Sequence, residues 1–183
     1  MDIGSFYDEI IQNEEVWKKT EIQNRTPVQL NTRAIFLRTF DERQKLENKI
    51  KNKDNHESDW TSSASYFSGI CQFITDFARS VNGTLSRALI AQMKPNGLIY
   101  RHIDDGCYYL IRDRYHIVVK SVAGTIFYAG NEKVCMQEGE LWWFDNKQHH
   151  QVENPSDEWR IHIIFDVLPL PPDIILQKFE ENV

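Results

Sequence analysis

Apolar residues recur at helical spacing in much of the first eighty positions, whereas after residue 84 they fall in short strand-like runs. Phe6, Ile10, Ile11, Val16 and Trp17 form a stripe that predicts helix over residues 1–20. NTRAIFLRTF (31–40) reads as a strand. Residues 41–59, DERQKLENKIKNKDNHESD, are almost wholly polar with mixed charge, which predicts an exposed loop or a poorly ordered insertion. In WTSSASYFSGICQFITDFARSVNG (60–83), Phe67, Ile70, Ile74 and Phe77 share a helical face, and Asn82 and Gly83 supply a stop. LSRALIAQM and LIYRHID flank a Pro95, Asn96, Gly97 turn and read as a strand pair. RYHIVVKSV, GTIFYAG, KVCMQ, ELWWFD, HHQVEN and WRIHIIFDV follow, with turn signals at intervals of about 8–12 residues. The chain is therefore expected to be mainly β, a sandwich or barrel over 84–167. One or two N-terminal helices and one strand (1–83) would pack outside it, with a tail at 168–183.

A chain of 183 residues suits a single domain, and 41% hydrophobic with 12% aromatic content marks it as globular. A formal charge of −6 argues against a nucleic-acid partner. Apolar runs stay short of the ~18 residues of a membrane span, and MDIGSFYDEI lacks a basic-then-apolar leader, so no membrane partner is expected. Cys71, Cys107 and Cys135 are widely spaced without a CxxC motif, the pattern of reduced thiols in a cytoplasmic protein.

The candidate chemistry begins in LIYRHIDDGCYY (98–109), where His102 and Asp104 stand two residues apart and so share one face of a strand. Alone, this is half of a metal site or an ordinary His–Asp hydrogen bond. A second stretch, FDNKQHHQVENPSDEWRIHIIFD (144–166), adds His150 at the start of HQVEN and Arg160 ten residues later. Two imidazoles and one carboxylate with open positions make the facial triad of non-haem Fe(II) oxygenases. Arginine suits a carboxylate because its planar fork pairs bidentately and keeps its charge. Alternation places Arg160, His162 and Ile164 on one face of the last strand and Trp159, Ile161, Ile163 and Phe165 on the other. An inward charge there needs a partner, which an incoming dicarboxylate or a buried Asp would supply.

RHIDDGCYYLIRDRYHIVV, GELWWFDNKQHHQVEN and WRIHIIFDV together resemble the aspartyl/asparaginyl β-hydroxylase family of 2-oxoglutarate oxygenases, over roughly residues 84–167 and more faintly in TRAIFLR (32–38). The family's proximal His, R-x-H, G-E-x-W run with an Asn after it, H-x-V-x-N and following Arg correspond here to His102, Arg114 with His116, residues 139–146, residues 150–154 and Arg160. The resemblance implies a double-stranded β-helix (a cupin-like jelly roll). It also implies an Fe(II)- and 2-oxoglutarate-dependent dioxygenase that uses O₂ to hydroxylate an amino-acid side chain. The substrate would be a small molecule or a peptide, with the Asp/Asn β-carbon among the candidates. By the same resemblance His102, Asp104 and His150 bind iron, and Arg160 holds the far carboxylate of 2-oxoglutarate. Arg114 and His116 line its near end. The family varies two residues past the first His, and Asp104 completes the triad; Ala91 departs from the serine that some relatives carry upstream.

Asp105, Tyr108, Tyr109 and Arg112, on the loop after H-x-D, are expected to touch substrate, with Arg38 a further candidate. His149 points away from His150 on strand alternation, and Trp142, Trp143 and Phe144 read as core. His162 shares the face of Arg160 without a role that demands it. Two rival readings remain open. One is a cupin-like isomerase or dioxygenase that dispenses with 2-oxoglutarate; the other is a non-catalytic binding barrel.

Overall fold

Asp2 accepts a hydrogen bond from the Ser5 backbone N–H at 3.2 Å and starts helix α1 (Ile3–Gln12), which α2 (Glu14–Thr20) follows after Asn13. The computed structural model describes residues 1–20, 28, 30–40 and 57–171; most of the polar run 41–59 and residues 172–183 lie outside them. Strand β1 (Thr32–Thr39) and the two-residue β2 (Asp59–Trp60) precede a 3₁₀ turn (Ser62–Tyr66) and helix α3 (Ser68–Ser80). The residue before α3 is Phe67, which has no side-chain cap to offer. The Glu9 carboxylate does that work from α1, accepting from the N–H groups of Gly69 and Ile70 at 2.7 and 3.1 Å. Asn82 ends the helical segment with φ 52°, where the sequence places a stop.

The remaining elements are β3 (Gly83–Met93), β4 (Gly97–His102), a single helical turn α4 (Cys107–Leu110), β5 (Asp113–Lys120), β6 (Ile126–Ala129), β7 (Glu132–Val134), β8 (Leu141–Trp143), β9 (His150–Asn154) and β10 (Arg160–Pro169). They form two antiparallel sheets, β2-β1-β3-β10-β5-β8 and β4-β9-β6-β7. This is the expected jelly roll. Its last strand runs two residues past the expected core boundary at 167.

One expected pairing is corrected. β3 and β4 are not a hairpin: β3 lies between β1 and β10 in one sheet, while β4 pairs with β9 in the other. The turn between them, with Asn96 at φ 52° and the Gly97 N–H bonded to the Lys94 carbonyl at 3.1 Å, is a corner between sheets. Both edges of β3 are already taken, so the chain has to leave.

Alternation on β10 divides the molecule. Ile161, Ile163 and Phe165 join Ile35, Ile90 and Ile117 on the outer face of the six-stranded sheet and pack beneath Ile10, Trp17, Ile70 and Ile74 of the helices. The helices thus cover the barrel from outside, and most of the apolar burial lies there. Between the sheets the apolar cluster is small, namely Met93, Val118, Phe127, Met136, Phe144 and Val152. The rest of that interior is available to polar side chains. Among the described residues no helix is long and apolar enough to cross a membrane.

Candidate metal centre and buried cation

His102 ends β4 and His150 begins β9, and the two are cross-strand partners with ring centroids 4.2 Å apart. Asp104 follows two residues later, in a loop held to the barrel by its own N–H bonding the Asn146 carbonyl at 3.0 Å. One ligand atom from each of the three residues lies within 4.8 Å of the others. Both rings are oriented by backbone: His102 Nδ1 lies 2.7 Å from the Tyr100 carbonyl and His150 Nδ1 3.0 Å from the Gln148 carbonyl. A carbonyl only accepts, so each Nδ1 carries the proton and each Nε2 keeps its lone pair for a metal.

Asp104 Oδ2 accepts from Arg114 Nη1 at 2.6 Å and from Asn146 Nδ2 at 2.9 Å, while Oδ1 lies 3.9 Å from His102 Nε2. Burial alone would raise the Asp104 pKa. The Arg114 charge, the Asn146 hydrogen bond and the two imidazoles outweigh it and hold the carboxyl below its ordinary value. Burial also lowers the pKa of His150. A neutral imidazole and an ionised carboxylate are the states a metal requires.

Arg114 continues into a second carboxylate: Nε and Nη2 form a fork on Asp166, at 2.8 and 3.0 Å. Burial would lower its pKa, but Asp166 and Asp104 raise it well above the ordinary value. Arg114 is therefore the brace between β10 and the Asp104 loop as well as part of the cavity wall.

Arg160 is in a different state. It is only 6% exposed, and among the described residues it makes no ion pair. Its polar contacts are Met136 Sδ at 4.0 Å and His162 Nδ1 at 3.2 Å. Burial pushes its pKa down to about 9, which still leaves a cation at neutral pH. Burial and the neighbouring guanidinium charges push His116 and His162 well below the ordinary histidine value, so both are neutral.

The triad opens into a cavity of about 170 Å³. Its polar end carries His102, Asp104, His150, His116, Arg114 and Tyr109, and its apolar wall includes Ala34 and Phe36 of β1, Leu89 and Ala91 of β3, and Ile164 of β10. A larger open groove, about 610 Å³, shares Phe127 and Phe144 with this cavity and holds none of the triad.

Of the expected substrate residues, Tyr109 alone lines the cavity, where its hydroxyl accepts from Arg87 Nη1 at 2.7 Å. Tyr108 is buried elsewhere, donating to Asp166 and accepting from the Arg87 N–H. Arg112 is buried against Tyr108, bonded to Ser86 Oγ and the Tyr108 carbonyl. Arg38 bonds the carbonyls of Ser86 and Ser58 and stacks on Trp60. Asp105 is exposed and accepts from the Gly106 N–H. His149 is exposed while His150 is buried; Phe144 is core, Trp142 is half-buried and Trp143 stands 52% exposed. Sequence reasoning missed Asp166 and Arg87. Alternation carries both signals: Asp166 continues the series Arg160, His162, Ile164, and Arg87 continues Leu89 and Ala91.

A family model described as aspartyl/asparaginyl beta-hydroxylase matches residues 5–169. No curated protein matches the sequence. Among solved structures, an oxidoreductase of the 2OG-Fe(II) oxygenase family from Burkholderia pseudomallei aligns with a TM-score of 0.56 at 10% identity, covering 88% of this chain and 78% of that one. A predicted oxalate decarboxylase from Thermotoga maritima aligns at TM-score 0.37 and 11% identity, over 51% of this chain and 73% of that one. A cupin domain from Bordetella pertussis gives 0.36 and 14%, over 46% and 90%. The first of these likenesses speaks to fold, and the two weaker ones carry no argument.

Proposed function

The chain belongs to the aspartyl/asparaginyl β-hydroxylase family, and from that membership we propose that it is an Fe(II)- and 2-oxoglutarate-dependent oxygenase that hydroxylates an amino-acid side chain, free or within a peptide. The observation that carries this reading is a converging donor set in the same barrel as a buried cation. Ligand atoms of His102, Asp104 and His150 converge within 4.8 Å of one another, and the buried Arg160 guanidinium has no carboxylate among the described residues.

The donor set fits the metal: two neutral nitrogens and one carboxylate oxygen are the ligands of a facial Fe(II) site. His102, Asp104 and His150 would hold it. When bound, Fe(II) and 2-oxoglutarate supply O₂ activation coupled to oxidative decarboxylation, which yields succinate and CO₂. The chain's own residues supply position and charge. Arg160 would neutralise the distal carboxylate of the cosubstrate with a planar fork in a poorly solvated place. Arg114 and Asn146 keep Asp104 ionised and fixed, which leaves Oδ1 to the metal. Phe127 and Phe144 pack around His150 with centroids 6.2 and 5.2 Å away and keep water from that side of the site.

Arg160→Lys tests the reading. Lysine keeps the charge but loses the fork, and a charge-assisted bidentate pair is worth a few kcal/mol, about tenfold in binding for each ~1.4 kcal/mol. Affinity for 2-oxoglutarate should fall roughly ten- to a hundredfold with metal affinity nearly unchanged. Loss of both would make Arg160 a folding residue. Loss of neither would remove 2-oxoglutarate and return the barrel to the metal-dependent isomerase or dioxygenase reading.

A further inference from the structure

His162 has no part in the reading above, yet it is among the most enclosed polar side chains, 1% exposed. Its Nδ1 lies 3.2 Å from Arg160 Nη2 and 3.4 Å from His116 Nδ1. A guanidinium only donates, so His162 Nδ1 must hold a lone pair and its proton must sit on Nε2. The direction of the Arg160–His162 bond is thus set by the chemistry of its members: Arg160 gives and His162 accepts. Neither imidazole's Nε2 has a hydrogen-bond partner among the described residues.

Strand geometry explains the contact. Arg160 and His162 are two apart on β10 and share its inner face, while His116 comes from the adjacent β5, where it pairs with Ile164. Met136 Sδ lies 4.0 Å from the same Nη2, and it is 4% exposed. One amino group of the guanidinium is thus fixed, while among the described residues no acceptor bonds Nε or Nη1.

We propose that His162 is the positioning residue for Arg160: it ties down one arm of the fork so that the remaining donors are presented, already oriented, to the distal carboxylate of 2-oxoglutarate. This inference rests on the oxygenase reading and extends it to a residue that touches neither metal nor cosubstrate. Without His162 Nδ1 a buried N–H loses its acceptor, and the fork must be ordered at the moment of binding.

The test is calorimetric titration of 2-oxoglutarate into the full chain loaded with Mn(II), beside Mn(II) affinity and melting temperature. His162→Leu should weaken 2-oxoglutarate by about tenfold, which corresponds to ~1.4 kcal/mol, with Mn(II) affinity unchanged. His162→Asn, whose amide oxygen takes the place of Nδ1, should recover most of the loss. In turnover the KM for 2-oxoglutarate should rise with kcat little altered. In an Arg160→Lys background the Leu substitution should add nothing, because His162 acts through Arg160. Where His162→Leu lowers the melting temperature, His162→Gln replaces it, since its longer amide reaches past the Nδ1 position. Wild-type affinity in the Leu or Gln variant, equal losses for Leu and Asn, or additive losses with Arg160→Lys would each overturn the assignment. If the wild type binds Mn(II) but no 2-oxoglutarate, the oxygenase reading itself falls and this one with it.

Discussion

Asn146→Ala isolates one hydrogen bond that shapes the triad. The side chain donates to Asp104 Oδ2 at 2.9 Å, while the backbone carbonyl of the same residue holds the Asp104 N–H at 3.0 Å. Alanine removes the first and keeps the second, so the loop stays anchored. A hydrogen bond to a charged group is worth about 1.5–3 kcal/mol, which converts to roughly a ten- to hundredfold loss in metal affinity. That is also the usual cost of removing a partner of a metal ligand. The pH dependence adds a second readout. Burial raises the Asp104 pKa while Arg114 and Asn146 lower it, and the net value lies below the ordinary 3.8. A carboxyl lowered in this way stabilises the fold fully above its unfolded value, and that contribution is lost as pH falls through the folded one. Without the amide the folded value rises, so metal uptake should fail at a higher pH than in the wild type. Mn(II) titrations at neutral and mildly acid pH separate the two effects: loss at neutral pH reports orientation, and extra loss in acid reports protonation. Wild-type affinity at every pH would refute the argument.

Two further outcomes follow from the geometry. His150→Ala should abolish metal binding by calorimetry while His149→Ala leaves it intact, and the reverse would place the β9 register off by one. Glu9→Ala removes the acceptor of two N–H groups at the start of α3; it should cost about 1–2 kcal/mol and lower the melting temperature by several degrees without changing metal affinity, and an unchanged melt would mean that water replaces the carboxylate.

The candidate metal centre was legible because few residue types bind a metal and they must converge from one face. His102, Asp104 and His150 were visible as types and spacings before any fold was known. Period-two alternation on WRIHIIFDV separated Arg160 and His162 from the core-facing isoleucines. What sequence could not supply was the choice of partner across space. A Pro-Asn-Gly signal marks a reversal but does not say whether the next strand returns to the same sheet. Tyr108 and Tyr109 are chain neighbours beside H-x-D, and a step of about 100° along α4 sends one into the core and the other into the cavity. Arg112 and Arg38 meet through Ser86, whose hydroxyl and carbonyl they share. No local pattern reveals that meeting, because the three residues come from separate parts of the chain.

The position of β10 between β3 and β5 bears on how the protein is made. Synthesis delivers β1, β3 and β5 well before residues 160–169, yet the six-stranded sheet has no continuous middle until that last described strand enters it. Until then β3 and β5 each present an open edge, and open edges of apolar strands are where chains pair with one another instead of with themselves. The enclosed arginine, its histidine and the Asp166 brace arrive on the same strand. Closure of the sheet and completion of the candidate site are therefore one event, and a nascent chain stalled before residue 160 would carry His102, Asp104 and His150 without the barrel that organises them.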